Sequence, residues 1–206
     1  MSILRRASDE KPSYTLSLRQ RLSLVIGTGL SAQTMTEMND ENIDYQFLLS
    51  NGIRAPLLKA AKFTPLQLKA RGVATANHFK SLEFSTLDLV DASFCGQCLA
   101  AYGADELLAD FLTTPQEAVA LAGSPAMGQL GVDIGTLLVL CAGCPGMACG
   151  VIEQSHPRGG CLLGVAPETL LDTGLRSKTL TELGFTAQSL SIQTAASLHE
   201  LKKLGF

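Results

Sequence analysis

The feature that most constrains this chain is a degenerate repeat of roughly ten residues. A large apolar residue recurs with a leucine five positions after it. The pairs are Phe63 with Leu68, Phe84 with Leu89, Phe94 with Leu99, Val165 with Leu170, Leu175 with Leu180, and Phe185 with Leu190. A unit this short cannot bury its apolar face alone, so successive units must stack on one another.

The residues between these pairs predict where short helices begin and end. Proline stands at the predicted first helical position in Thr64-Pro65, Thr114-Pro115, Ser124-Pro125 and Ala166-Pro167, and three of the four have a Ser or Thr before it. Proline at the first helical position loses no hydrogen bond, and a preceding Ser or Thr caps the free amides. Glycine, which favours the left-handed residue that ends a helix, follows the apolar stretches at Gly72, Gly103, Gly123, Gly143, Gly174 and Gly184. We therefore predict an all-α fold, a solenoid of stacked helices of about two turns each.

The repeat does not cover the whole chain. Residues 1–50 lack it and contain an acidic cluster from Glu37 to Asp44, so we predict an N-terminal arm or cap there. Residues 51–206 form the predicted short-helix repeat. Within them the rhythm blurs at 131–160, which marks an irregular stretch where a site or a partner contact is to be sought.

A pentapeptide-like β-solenoid is the alternative fold, because large residues recur every five positions between 84 and 99. The pentapeptide-repeat pattern requires a small residue two places before the central one. Ala61 and Ala92 satisfy that requirement, whereas Leu66 and Leu87 do not. The proline and glycine positions also suit helix ends, so we favour the helical solenoid.

The segment from Leu112 to Ala120, Leu-Thr-Thr-Pro-Gln-Glu-Ala-Val-Ala, resembles a unit of the leucine-rich-repeat-variant and related short-helix solenoids. Proteins of those families stack short helices into a superhelix and are mostly binding scaffolds. The resemblance therefore implies a chain that binds other proteins along its length. It assigns no functional residue to any position of this sequence.

Charge and hydropathy exclude some classes of partner. The net charge is −3 and only 17% of residues are charged, so the clustered Lys and Arg that hold nucleic acid or an anionic membrane are lacking. The stretch 134–152 has no charged residue, but Gly143 and Pro145 would break a spanning helix in its middle. The polar N-terminus does not fit a signal peptide, so we expect an intracellular protein, cytoplasmic or part of an assembled particle.

The cysteines form two CxxC pairs, Cys95 with Cys98 and Cys141 with Cys144. Such spacing can present two thiolates to one zinc ion or iron–sulfur cluster. The pairs are too far apart to meet in a linear solenoid, so the alternative is a local metal site. Its predicted ligands are Cys141, Cys144, Cys149 and Cys161, with His156 as a substitute for the last. The interpretation we favour is that the cysteines act as small buried hydrophobic residues.

No pattern in the sequence resembles a nucleophile with its base, so we predict a protein that is not an enzyme and carries no cofactor. The favoured function is a structural and interaction scaffold whose partners are other protein subunits. We expect it to belong to a large multi-protein assembly such as a capsid or another shell. The alternative is a metal-binding or iron–sulfur protein that uses the cluster from Cys141 to Cys161.

Overall fold

The structure is a computed structural model, and it describes residues 44–60, 62–155 and 162–206. Within these ranges the chain forms fifteen α-helices and no β-strand. The predicted all-α class is confirmed, and the lack of strands in the described ranges argues against the β-solenoid. The predicted N-terminal arm lies outside the described residues, apart from the first short helix and its cap, and so does the segment 156–161.

Thirteen of the helices have four to eight residues, and two have eleven. The first seven are α1 (Tyr45–Ser50), α2 (Ala55–Ala60), α3 (Pro65–Ala70), α4 (Ala76–Ser81), α5 (Thr86–Leu89), α6 (Ala92–Tyr102) and α7 (Ala104–Phe111). The next four are α8 (Pro115–Leu121), α9 (Pro125–Gln129), α10 (Ile134–Leu140) and α11 (Pro145–Ser155). The last four are α12 (Pro167–Asp172), α13 (Ser177–Glu182), α14 (Ala187–Thr194) and α15 (Leu198–Leu204).

The predicted positions of the helix ends are confirmed, but Ser124 forms no side-chain capping hydrogen bond. All four predicted prolines stand in the first turn of a helix, in α3, α8, α9 and α12. Thr64 and Thr114 each form a capping box, in which the hydroxyl accepts from the amide of the third helical residue. All six predicted glycines have a positive φ, between 70° and 90°. Local signals therefore fix where most of the helices begin and end.

The repeat pair Phe94 and Leu99 does not mark a short helix of its own, because both residues lie inside one longer helix, where they are half-buried. Helix α6 begins at Ala92, and the Asp91 carboxylate caps it by accepting from the Phe94 amide at 2.8 Å. No proline or positive-φ glycine lies between Ala92 and Gly103, which has a φ of 82°. One helix of eleven residues therefore takes the place of two short ones.

Several helices pack against one another at the same interval, whereas α10 contacts α8 and α12, which are two positions away. Many of them contact the helix three positions later in the chain, as in α3 with α6, α4 with α7, α5 with α8, α6 with α9, α8 with α11, and α12 with α15. Hydrogen bonds follow the same interval and join residues 29, 30 and 31 positions apart. The Tyr102 hydroxyl donates to the Val73 carbonyl at 2.9 Å, and the Ala76 amide donates to the Glu106 carboxylate at 2.7 Å. The Leu162 amide donates to the side-chain oxygen of Gln193 at 2.7 Å.

The core consists of the repeated leucines and one aromatic cluster. Leu68, Leu170 and Leu190 have no exposed surface. The ring of Phe79 lies 3.8 Å from that of Phe84, and the rings of Phe94, Tyr102 and Phe111 surround it. Burying one leucine side chain stabilises a fold by about 1.5–3 kcal/mol, before the entropy of ordering the chain is counted. Short helices therefore depend on these contacts.

The uncharged stretch 134–152 is divided between two helices. Helix α10 ends at Leu140, Gly143 takes a φ of 71°, and Pro145 begins α11. The residues predicted to break a spanning helix therefore lie at the junction of the two, Gly143 between them and Pro145 as the first residue of α11. In the part of the chain that the structure describes, no helix combines the length and the apolar character needed to cross a membrane.

Two further contacts join distant turns. At Gly123, with a φ of 70°, an added Cβ would lie 2.0 Å from the Gln154 carbonyl oxygen, so the turn after α8 meets the backbone of α11.

At Glu117, burial alone would raise the pKa. Hydrogen bonds from the Thr113 amide, Lys80, and the Thr113 and Thr114 hydroxyls outweigh that effect and lower the pKa to about 2.

We expect Gly123→Ala to destabilise the protein more than Gly131→Ala. Both glycines have a φ near 70°, so each alanine incurs about 1–2 kcal/mol of left-handed strain. Only the alanine at 123 also meets backbone, because nothing lies within 4 Å of a Cβ at Gly131. Denaturant unfolding followed by circular dichroism should show that Gly123→Ala lowers the free energy of unfolding by about 1–3 kcal/mol more than Gly131→Ala does. Equal losses in the two variants would contradict the close approach.

We expect Glu117→Gln to lower the free energy of unfolding at neutral pH by about 1 kcal/mol. Because the folded pKa is lowered from 4.5 to about 2, the stabilisation is present above pH 4.5 and is lost as the pH falls toward 2. The difference between wild type and variant should therefore vanish across that window in unfolding experiments. Glu83→Gln, which removes an exposed partner of Arg54, is the matched control. If the difference in unfolding free energy between wild type and Glu117→Gln stays constant down to pH 2, the lowered pKa of Glu117 is contradicted.

Candidate functional site

The first CxxC pair lies inside helix α6. Cys95 and Cys98 have no exposed surface, and burial raises the pKa of both thiols. A raised pKa keeps a thiol protonated, and only the thiolate binds metal or attacks a disulfide. These two cysteines therefore contribute to the core between α6 and its neighbours.

The second pair lies at the junction of α10 and α11. Cys141 is fully buried at the end of α10, whereas Cys144 and Cys149 are partly exposed. Burial raises the pKa of Cys141 and of Cys149. Cys161 and His156 lie outside the described residues. Within the described ranges, no three His, Cys, Asp or Glu side chains are grouped so that they could hold a metal ion. The four-cysteine site therefore stays a prediction.

A groove lies where the turn between α2 and α3 approaches α5 and the start of α6. Its volume is about 640 Å³, within the range of about 300–1,000 Å³ that is usual for binding clefts. We call it the Lys62 groove, and its walls include Lys59, Lys62, Phe63, Leu87, Asp88 and Phe94. Phe63 is buried and Phe94 is half-buried, whereas the Leu87 side chain is 71% exposed.

The carboxylates of the Lys62 groove have partners within the chain. Asp88 pairs with Lys59 and also accepts from the amide of Ser85, so it both caps α5 and holds α2. Asp91 accepts from the amide that begins α6. By contrast, the Lys62 ammonium forms no ion pair or hydrogen bond with any described residue.

A second groove of about 450 Å³ lies on the other side of Leu87. We call it the Lys80 groove, and Lys80, Glu83, Phe84 and Glu117 line it together with Leu87. Lys80 donates to Glu117 at 3.1 Å and to the Asp110 carbonyl at 2.6 Å. Leu87 is therefore an exposed apolar side chain between two adjacent depressions.

Both grooves are bordered by a charged residue in a left-handed backbone conformation. Lys62 has a φ of 57° and Glu83 has a φ of 67°, whereas the corresponding turn after α3 has Gly72 at 84°. A residue with a Cβ in this conformation costs about 1–2 kcal/mol relative to its relaxed state. Such strain tends to be retained where a side chain is needed for function.

Sequence reasoning did not find these grooves. The sequence signal for the grooves is the position of Leu66 and Leu87. Each is the second residue of its helix and is not one of the repeat positions that are buried. Both are exposed, at 52% and 71%. Which turn lies opposite Leu87 depends on packing between helices three positions apart, and the local pattern does not contain that information.

We expect thiol labelling to separate the cysteines by burial. Under native conditions iodoacetamide should modify Cys144 and Cys149 before Cys95, Cys98 and Cys141, which have no exposed surface. Mass spectrometry of the digested protein would give the order, and labelling in denaturant is the control in which all six cysteines, including Cys161, should react. Early modification of Cys98 in the folded protein would contradict its burial.

Comparison of the chain with protein-family models, with curated proteins and with solved structures finds no match. The resemblance of the segment 112–120 to leucine-rich-repeat-variant units therefore stays a prediction. Functional inference for this chain depends on the chemistry and geometry of its own residues.

Proposed function

We propose that the described helices form a short-helix solenoid with about three helices in each turn. In this proposal the chain is a non-enzymatic interaction scaffold that binds other protein subunits within a larger assembly. The supporting observation for the solenoid is the packing of helices three positions apart, with hydrogen bonds between residues 29–31 positions apart. A solenoid needs this regular offset, because each turn stacks on the next.

The binding role is supported by the exposed leucine between the two grooves. An isolated exposed leucine needs no explanation, but Leu87 lies between depressions of about 640 and 450 Å³ that contain Phe63, Phe94 and Phe84. Apolar side chains with charged residues around them are the usual composition of an interface centre and its rim. Burying Leu87 under a partner would contribute about 1.5–3 kcal/mol.

The extent of the grooves favours a polypeptide segment as the occupant. Two depressions that share one exposed side chain can receive successive side chains of a chain that runs across α5. A compact small molecule would occupy only one of them. Charged side chains in the groove walls also have structural roles. Asp88, for example, caps α5 and pairs with Lys59.

We expect that the Leu87→Ser variant, isolated from its native extract, no longer carries the partner that the wild type binds. The tagged full chain should elute with a stoichiometric partner in size-exclusion chromatography, and the variant should elute without it. The expected loss of affinity is about tenfold or more, from the apolar surface no longer buried.

Leu198→Ser is the matched control, because Leu198 is 69% exposed but lines neither groove. It should retain the partner. A wild-type chain that elutes alone as a compact monomer would contradict the scaffold function, and equal loss in both variants would contradict the assignment to Leu87.

A further inference from the structure

We propose that the Lys62 groove recognises a protein segment in which an apolar side chain stands next to a carboxylate. This inference rests on the scaffold function above and specifies the chemistry of the partner. The apolar side chain would lie against Leu87 and Phe94, and the carboxylate would pair with the ammonium of Lys62.

The charge balance of the groove carries the argument. Four charged residues line it: Asp88 pairs with Lys59 and accepts from the Ser85 amide, whereas Asp91 accepts from the Phe94 amide and has no cationic partner among the described residues. Lys62 has no partner of opposite charge among the described residues, and its side chain is exposed. An incoming carboxylate therefore gains an ion pair there, whereas an incoming cation meets a like charge.

The backbone at Lys62 is a second observation on the same residue. Its amide donates to the Lys59 carbonyl at 2.8 Å, and the Phe63 amide donates to the Leu58 carbonyl at 3.0 Å, which ends α2 as a left-handed cap. Glycine is the residue that suits this conformation, and Gly72 and Gly174 occupy comparable turns. A lysine that accepts the strain, and forms no ion pair or hydrogen bond with a described residue, fits a side chain kept for recognition.

The apolar part of the segment follows from the groove walls. Leu87 projects at the edge, Phe94 is half-buried, and Phe63 is buried. Because Asp88 is fixed by both Lys59 and the cap of α5, the wall is ordered before a partner arrives. Pre-ordered walls lower the entropic cost of binding.

The test uses fluorescence polarisation with the full chain and two labelled short peptides, which differ only in charge. One alternates leucine with glutamate and the other alternates leucine with lysine. The wild type should prefer the glutamate peptide, with chemical-shift changes at Leu87 and Phe94 in a parallel NMR titration. Lys62→Glu should weaken the glutamate peptide by about threefold or more and should reverse the preference.

Two control variants separate recognition from net charge and from folding. Lys178→Glu makes the same charge change at an exposed position on α13 and should leave the preference unchanged. Lys62→Gly relieves the left-handed strain, so its denaturation midpoint should be no lower than that of wild type, yet it should bind the glutamate peptide less tightly.

Equal binding of the two peptides, no binding of either, or a preference that survives Lys62→Glu would overturn the proposal. These outcomes are distinct from failure of the scaffold function. A native partner that is lost from Leu87→Ser but retained by Lys62→Glu would leave the scaffold function standing and reject the carboxylate. A wild-type chain with no native partner would reject the scaffold function itself.

Discussion

The whole structure depends on the fact that its helices are too short to be stable alone. Forming the first helical turn fixes several residues for one hydrogen bond, with a nucleation constant of about 10⁻³, and a two-turn helix recovers little of that cost. Two devices compensate for it here. Side chains such as Thr64 and Thr114 satisfy the free amides at helix starts, and the repeated leucines are buried against other helices.

This dependence explains why the turns divide into two kinds. Where a turn meets another backbone, as at Gly123 against Gln154, only glycine fits. Where a turn faces open space, the conformation still favours glycine, but a side chain can be accommodated at a cost of about 1–2 kcal/mol. Lys62 and Glu83 are turns of the second kind. Variation that carries recognition can therefore appear at such turns without disturbing the stacked helices.

The sequence predicted those parts of the fold that local interactions determine. A proline with a preceding threonine at 64 and 65, or a glycine at 72, acts within four residues of itself, so the pattern alone indicates a helix end. The pair Phe94 and Leu99 matches the apolar rhythm but lies within the single helix α6, because no proline or left-handed glycine interrupts that helix. The grooves could not be predicted, since they form between turns that are neighbours only after packing.

The Lys62 groove is built from the same residues that stabilise the fold, and this links stability to recognition. Asp88 caps α5, and the same carboxylate fixes α2 through Lys59. In the proposed binding mode, a partner would meet a wall that the fold has already ordered, so little entropy would be lost there on binding. Among the charged residues that line the groove, Lys62 is the one that forms no ion pair or hydrogen bond with a described residue. If the proposal holds, substitution at Lys62 changes the choice of partner, whereas substitution of Asp88 weakens the fold and the site together.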